Sequence, residues 1–340
     1  MNRRSFFIGA AIAALMTATS SYAQEVTLRL HQFLPKQASI PGNAIEPWIA
    51  KIEKESDGRI KIEHFGSMQL GGAPPALYSQ AVDGIADIIW TLPGYTPGRF
   101  PKIEAFELPF MTGDAESSSK ALHEYVIANA MDEFADTHPL VFHTHGPGYF
   151  HTNKPLTTLS DVKGQKLRGP TRVVTNMLGK LGATPIGMPV PSVPESVSKG
   201  VIDGAVIPWE VTLPLKMSEL TSNHAGFATA PGLYSANFVM TMNKAKYESL
   251  PDDLKAILDS NSGPEVSATF GAAMDALDIQ GRAKAEATTN TITDLDAERE
   301  QWIEASKGVE ADWIAEMDAN GEDGAALVQS AKDLIAKNAK

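Results

Sequence analysis

The segment from Lys166 to Thr171 holds the residues with the clearest potential for binding chemistry. It predicts a short strand that ends at Arg168, a turn at Gly169, and a helix that opens on Pro170, where a missing N–H is tolerated. A guanidinium fork and the positive end of a helix would then lie close together, and both attract anions. An arginine fork matches a planar carboxylate, which predicts an organic-acid site; an ordinary ion pair between domains is the alternative.

The first 23 residues predict an export signal. Arg3 and Arg4 precede an apolar run from Phe6 to Met16, and small residues then lead to a cleavage site after Ala23. The run is too short to span a membrane, so we expect a periplasmic mature chain without direct membrane insertion. The paired arginines also resemble a twin-arginine signal, and the sequence leaves the general and twin-arginine routes open.

Composition excludes several classes of function. Removal of Arg3 and Arg4 leaves 27 of the 29 basic residues against 41 acidic residues, a net charge of −14. Such a surface disfavours nucleic acid and anionic lipid as partners. The chain has no cysteine, and therefore neither disulfides nor thiolate chemistry. It also lacks a nucleophile elbow, a phosphate-binding loop and a dinucleotide fingerprint, so we expect no enzyme activity and no cofactor; a secreted hydrolase is the alternative.

Apolar strand-like runs alternate with amphipathic helices, which predicts an α/β fold with mostly parallel sheets. Strands are predicted at residues 26–30, 60–65 and 86–90, for example, whereas the chain beyond about residue 249 reads as nearly all helix. No flexible linker separates two domains. We therefore expect two lobes between which the chain crosses more than once, with a hinged cleft between them.

Several short segments, each weak alone, follow the predicted export signal in a fixed order. They are Gly66–Gly72, Val82–Asp87, Phe106–Phe110, Thr152–Pro155, Leu159–Gly164, Lys166–Pro170, Gly182–Pro185, Gly200–Gly204, Met242–Lys244 and Leu250–Pro251. Together they resemble the solute-binding proteins of tripartite ATP-independent periplasmic (TRAP) transporters, the DctP family, over nearly the whole mature chain. The resemblance implies a two-lobed periplasmic binding protein-like fold with long C-terminal helices that brace both lobes. The family's central ligand contact carries onto Arg168.

The resemblance also implies domain boundaries and partners. Lobe I is expected to comprise residues 24–145 and 238–278, and lobe II residues 146–237 and 279–340. A member of this family captures a small organic acid and passes it to the small and large permease subunits in the membrane. A sensor that docks on a membrane receptor is the alternative, because either partner can recognise closed lobes.

Departures from the family pattern predict an apolar site with a single arginine. No arginine lies just before the segment Thr152–Pro155, where family members that bind very polar acids often carry a second one, and Ile207 stands where many members have asparagine. The expected ligand-binding residues are Arg168, Trp209, Phe33, Trp90, Leu92, Phe150, Thr171, Val190, Ile207 and His31. Such a site favours an aromatic monocarboxylate of the benzoate, hydroxybenzoate or arylglyoxylate type. Aliphatic 2-oxo or 2-hydroxy monocarboxylates are the alternative, whereas a dicarboxylate would bury a second charge and a sugar acid would leave hydroxyls unpaired.

Simpler roles stay open for several of these residues. Trp90 and Trp209 also fit a core position, because tryptophans on strands are usually buried. His143 and His145 share one face of a strand and could ligate a metal, but no acidic residue accompanies them at ligand spacing, so no metal site is expected. A hydrogen bond from His31 or His145 to a ligand hydroxyl is a further hypothesis.

Overall fold

The computed structural model describes residues 24–340, so the predicted export signal lies outside the described residues. The strands are β1 (Val26–Gln32), β2 (Ile60–Phe65), β3 (Ile88–Thr91), β4 (Thr137–Thr144), β5 (Tyr149–Thr152), β6 (Lys166–Gly169), β7 (Thr184–Gly187), β8 (Gly204–Ile207), β9 (Asn223–Gly226), β10 (Asn237–Asn243) and β11 (Thr291–Asp294). The helices are α1 (Glu46–Glu55), α2 (Leu77–Val82), α3 (Ala115–Asn129), α4 (Arg172–Lys180), α5 (Val193–Ser198), α6 (Trp209–Leu215), α7 (Met217–Leu220), α8 (Lys244–Glu248), α9 (Asp252–Ser260), α10 (Pro264–Glu286), α11 (Arg299–Ser306), α12 (Gly308–Ala319) and α13 (Gly324–Asn338).

Two sheets organise the described chain, and each defines one lobe. The sheet of lobe I has the order β2-β1-β3-β10-β4, and the sheet of lobe II has the order β11-β9-β5-β8-β6-β7. The chain crosses between them repeatedly, since β10 returns to the first sheet and β11 to the second. The α/β fold class predicted from the alternation of elements is confirmed.

The sheets are mixed rather than mostly parallel. Among residues 24–340, five of the nine strand pairings are parallel and four are antiparallel. All four antiparallel pairings involve β10 or β5, each of which lies inside a sheet between two strands of opposite direction. Both strands begin just after the chain has crossed from the other lobe, a direction change that local sequence periodicity does not encode.

Helix α4 follows the predicted arginine strand and forms for the expected reasons. Thr171 caps it by accepting a hydrogen bond from the Val174 N–H, so the helix begins at Arg172, just after the proline that was expected to open it. Its apolar face is buried, and Gly182 adopts a positive φ of 95° just beyond its end. The helix N-terminus is therefore held directly after the strand that carries Arg168.

The long helix α10 contacts both lobes. It packs on α3 and β4 of lobe I and on α6 of lobe II. Asp275 accepts hydrogen bonds from the backbone N–H groups of Ala115 (2.8 Å) and Glu116 (3.0 Å), and Asp278 accepts one from the N–H of Glu210 (2.7 Å). The predicted boundary between the lobes at residue 278 falls inside helix α10, which continues through it without a break. The exact position of this boundary stays a prediction. No helix within residues 24–340 has the length and apolarity to cross a membrane.

Candidate ligand-binding site

A cavity with about 380 Å³ of space not filled by atoms, part of it open to solvent, lies between the two sheets. Six residues expected from sequence line it: Phe33, Trp90, Leu92, Arg168, Val190 and Ile207. The structure also places Leu34, Tyr95, His145, Pro170, Pro208, Glu210, Val211, Tyr234, Ala236 and Phe238 in its wall.

Arg168 is the cation of this cavity. Strand β6 lies between β8 and β7, which fixes its backbone, and the side chain is 2% exposed. Its Nε donates to the Met188 carbonyl oxygen (2.8 Å) and Nη1 to the Val206 carbonyl oxygen (3.3 Å), whereas Nη2 has no partner among residues 24–340. Burial lowers the pKa of Arg168, but a guanidinium remains protonated at physiological pH.

Two tyrosine hydroxyls accompany the guanidinium. Tyr95 and Tyr234 are the groups that act electrostatically on Arg168, and no carboxylate does so within the described chain. The Tyr95 hydroxyl accepts a hydrogen bond from the Val190 N–H (3.0 Å), so its own proton stays available, and the Tyr234 hydroxyl has no partner in residues 24–340. Burial raises the pKa of both tyrosines, which keeps them neutral donors. An anionic oxygen placed here would find up to three donors.

Stacked aromatic rings form an apolar wall. The Phe33 and Trp90 rings are nearly parallel with centroids 4.8 Å apart, and Trp90 and Phe238 are nearly parallel at 5.1 Å. The Trp90 indole N–H donates to Nε2 of His143 (2.8 Å), so its polar atom is satisfied away from the cavity. This wall offers dispersion contacts and no unpaired hydrogen-bonding group, which suits an aromatic body.

His145 lines the cavity, but both of its ring nitrogens are already paired. Nδ1 contacts the Gly146 carbonyl oxygen (2.5 Å), and Nε2 accepts a hydrogen bond from the Ala236 N–H (3.0 Å). Burial lowers the pKa of His145 to about 4, so the ring is neutral at physiological pH. Its contribution is therefore shape rather than a hydrogen bond to a ligand.

Glu210 brings a carboxyl group into the same wall. It is 4% exposed, and its Oε2 has no hydrogen-bond partner within the described chain. Burial raises the pKa of this carboxyl to about 7. A buried polar atom without a partner is costly unless a ligand satisfies it, so Glu210 is the second polar feature of the cavity.

Two aromatic residues expected in the site lie elsewhere. Trp209 packs against Tyr149 (centroids 5.3 Å apart) and makes a T-shaped contact with His151 (4.9 Å). Phe150 is fully buried on strand β5 and contacts Trp302 of α11 (5.6 Å). Neither residue lines the cavity.

His31 and Thr171 also lie outside the cavity wall. His31 pairs through Nδ1 with Gln80 (2.7 Å), and its Nε2 accepts from the Leu70 N–H (3.2 Å), so it holds a loop of lobe I. Thr171 caps α4 and touches Gly94 of lobe I so closely that a Cβ on Gly94 would lie 2.8 Å from the Thr171 Cβ. Thr171 thus marks where the lobes meet.

No cluster of three metal-ligating side chains occurs in residues 24–340. The two strand histidines considered as metal ligands are instead hydrogen-bonded: His143 to Trp90 and His145 to backbone. Burial lowers the pKa of His143 to about 3. His145 lines the cavity, whereas His143 lies outside the cavity wall and stacks on Trp90 and Phe238.

Sequence reasoning missed Tyr95, Tyr234, Glu210 and Phe238. Tyr95 ends a short 3-10 turn (Pro93–Tyr95), and Tyr234 lies in a loop before β10, so neither has a periodicity that assigns it a face. A usable signal existed for Glu210, since an acidic residue only three positions after the end of the buried strand β8 is unusual for a core position.

The fold and the site agree with one family. The family model DctP, described as bacterial extracellular solute-binding protein, family 7, matches residues 32–316. The chain therefore belongs to this family of TRAP solute-binding proteins, as its sequence motifs predicted, and the family's members are binding proteins rather than enzymes.

Solved structures of relatives are similar over nearly the whole chain. A TRAP solute-binding protein from Rhodoferax ferrireducens, crystallised with copurified benzoate, is 50% identical, with a TM-score of 0.90 and coverage of 92% of this chain and 98% of its own. A marine-metagenome TRAP protein described as specific for aromatic acid ligands, crystallised with 3-hydroxybenzoate, is 46% identical, with a TM-score of 0.92 and coverage of 94% and 100%. The ectoine/5-hydroxyectoine-binding periplasmic protein UehA of Ruegeria pomeroyi is 24% identical over 98% of each chain.

Proposed function

We propose that this protein is the periplasmic subunit of a TRAP transporter that captures an aromatic monocarboxylate and delivers it to the small and large membrane permease subunits. One observation carries the ligand assignment. Arg168 is fully buried, no protein carboxylate pairs with it in the described chain, and its free Nη2 belongs to a cavity walled by stacked aromatic rings. A buried, uncompensated guanidinium requires an anionic partner.

The carboxylate binds Arg168 at the tyrosine end of the cavity. The guanidinium supplies a charge-assisted hydrogen bond, and the neutral hydroxyls of Tyr95 and Tyr234 can donate two more. The two backbone carbonyls that hold Nε and Nη1 fix the plane of the fork before the ligand arrives, which reduces the entropy lost on binding.

The rest of the ligand contacts the aromatic wall. A ring against Phe33, Trp90 and Phe238 gains burial and stacking, whereas each unpaired hydroxyl of a sugar acid would cost about 1–3 kcal/mol there. The benzoate and 3-hydroxybenzoate held by the two relatives of 50% and 46% identity support the same ligand class.

Binding favours the closed arrangement of the lobes. Phe33, Trp90 and Tyr95 come from lobe I, whereas Arg168 and Val190 come from lobe II, so a ligand between them touches both. The hydrogen bond from the Val190 N–H to the Tyr95 hydroxyl also joins the lobes beside the carboxylate site. A ligand that contacts both lobes shifts the population toward closure, and the permease would recognise that state.

A ligand screen tests the proposal. Mature protein is titrated calorimetrically and melted with benzoate, hydroxybenzoates, mandelate, 2-oxo-4-methylpentanoate, succinate and glucuronate. At a hundredfold excess over Kd, a true ligand stabilises the folded state by about 2.7 kcal/mol. Binding confined to the aromatic acids is the expected result. Tight binding of succinate or glucuronate, with no aromatic acid bound, would refute the ligand class.

A further inference from the structure

Glu210 has a polar atom that the carboxylate-binding end of the cavity leaves unused. Its side chain is more than nine-tenths buried, lines the cavity and leaves Oε2 without a hydrogen bond in residues 24–340. The backbone of Glu210 is firmly held: its N–H donates to Asp278 (2.7 Å), and its carbonyl oxygen accepts from the Ser39 hydroxyl (3.2 Å). The side chain is thus presented to the cavity by a fixed backbone.

The groups that face Glu210 differ from those that face Arg168. Ser39 lies beside the carboxyl, and Asp278 of α10 is its acidic neighbour, whose own pKa is raised well above its usual value by burial. Arg168 is influenced by Tyr95 and by Tyr234, which lies near the end of the loop that leads to β10. No ion pair links the two ends within the described chain, although one would form readily at contact distance. The cavity therefore has a cationic end and an acidic end, with the aromatic wall as a third face.

We propose that Glu210 is a specificity-determining residue that pairs with a hydroxyl group on the aromatic ring, remote from the carboxylate held by Arg168. This inference rests on the proposed function. A ring hydroxyl donates to an ionised carboxyl, and it also accepts from or donates to a protonated one, so it satisfies Glu210 in either form. Unsubstituted benzoate leaves Oε2 unpaired in the closed cavity. A second ring carboxylate would face the Glu210 charge and be rejected.

Calorimetric titration at pH 8 separates these ligands. Wild-type protein, Glu210→Leu and Glu210→Gln are titrated with benzoate, 3-hydroxybenzoate, 4-hydroxybenzoate and isophthalate. Wild type should bind one hydroxybenzoate isomer at least tenfold more tightly than benzoate. Glu210→Leu should abolish this preference, so that benzoate and the hydroxybenzoates bind with affinities within about threefold of one another. Glu107→Gln is the matched control, because Glu107 is also fully buried with an unpaired Oε2 but lies outside the cavity wall.

The isosteric variant keeps the inference testable if Glu210→Leu fails to fold. Burial raises the Glu210 pKa to about 7, so the wild-type carboxyl is mostly ionised at pH 8 and should repel isophthalate. Glu210→Gln removes that charge and should bind isophthalate at least tenfold more tightly than wild type. Unchanged ligand preferences in both variants would overturn the role of Glu210. Failure of wild type to bind any aromatic acid would instead overturn the proposed function.

Discussion

Replacement of Arg168 by alanine should nearly abolish ligand binding. The side chain is 2% exposed, so a carboxylate bound to it is desolvated and has no water to replace the lost donor. Truncation of one partner of such a buried pair costs about 2–5 kcal/mol, or about 30-fold to several thousand-fold in Kd. Arg168→Lys keeps the charge but cannot hold two carbonyls and a ligand together, so we expect a loss of at least about tenfold.

Isothermal titration with the best ligand of the screen measures these losses. Arg282→Ala is the matched control. It removes the same charge as Arg168→Ala, but Arg282 lies on α10 and pairs at the surface with Glu286. It should bind like wild type. Circular dichroism verifies that each variant is folded. Wild-type affinity in a folded Arg168→Ala variant would refute the assignment of this residue as the carboxylate ligand.

Three other perturbations test the geometry of the cavity and its neutral wall. Ligand should change tryptophan fluorescence in wild type and in Trp209→Phe but hardly in Trp90→Phe, because of these two residues Trp90 alone lines the cavity. The free energy of unfolding of wild type should fall as the pH is lowered from 7 to 5. In His143→Phe this decrease should be smaller by about 2 kcal/mol, as measured by urea denaturation. Burial lowers the pKa of His143 to about 3, so protonation favours the unfolded state as pH falls below about 6.5. Gly94→Ala should weaken binding at least about tenfold by calorimetry, because its methyl would collide with Thr171 and hold the lobes apart. Thr171→Ser removes part of the collision and should partly restore affinity.

Controls sharpen these tests. A full fluorescence response in Trp90→Phe would place the ligand away from the aromatic wall. An unchanged acid dependence in His143→Phe would mean that burial does not lower the pKa of this ring in the folded protein. Gly113→Ala adds the same methyl where the nearest atom is 3.6 Å away, so it should leave affinity unaltered. Equal effects of the Gly94 and Gly113 variants would contradict the steric argument.

Local sequence signals were enough to predict the strand and the helix that position Arg168. The strand, turn and capped helix around it are encoded within about fifteen residues, and Gly182 ends α4 as expected. The family and the α/β class were also predictable, since ordered motifs and alternating elements extend along the whole chain. These features depend on neighbouring residues, where propensities and caps act.

The remaining wall depends on contacts between distant segments. Trp209 and Glu210 are consecutive on the first turn of α6, and sequence favoured the tryptophan. The carboxyl lines the cavity instead, and the backbone that holds it there is fixed by Asp278, 68 residues further along the chain. Phe150 likewise faces α11 because β5 pairs with strands that come later in the sequence. Local sequence patterns do not encode such contacts between distant segments.

The placement of β10 has a consequence for the order in which the chain can fold. This strand lies between β3 and β4, yet it follows both of them by more than ninety residues. Until residue 243 has been synthesised, β3 and β4 each present an unpaired edge, which is a template for intermolecular pairing. The sheet of the first lobe is therefore completed only after most of the second lobe has been synthesised. A nascent chain that stays unfolded until then runs less risk of aggregation than one that forms partial structure early.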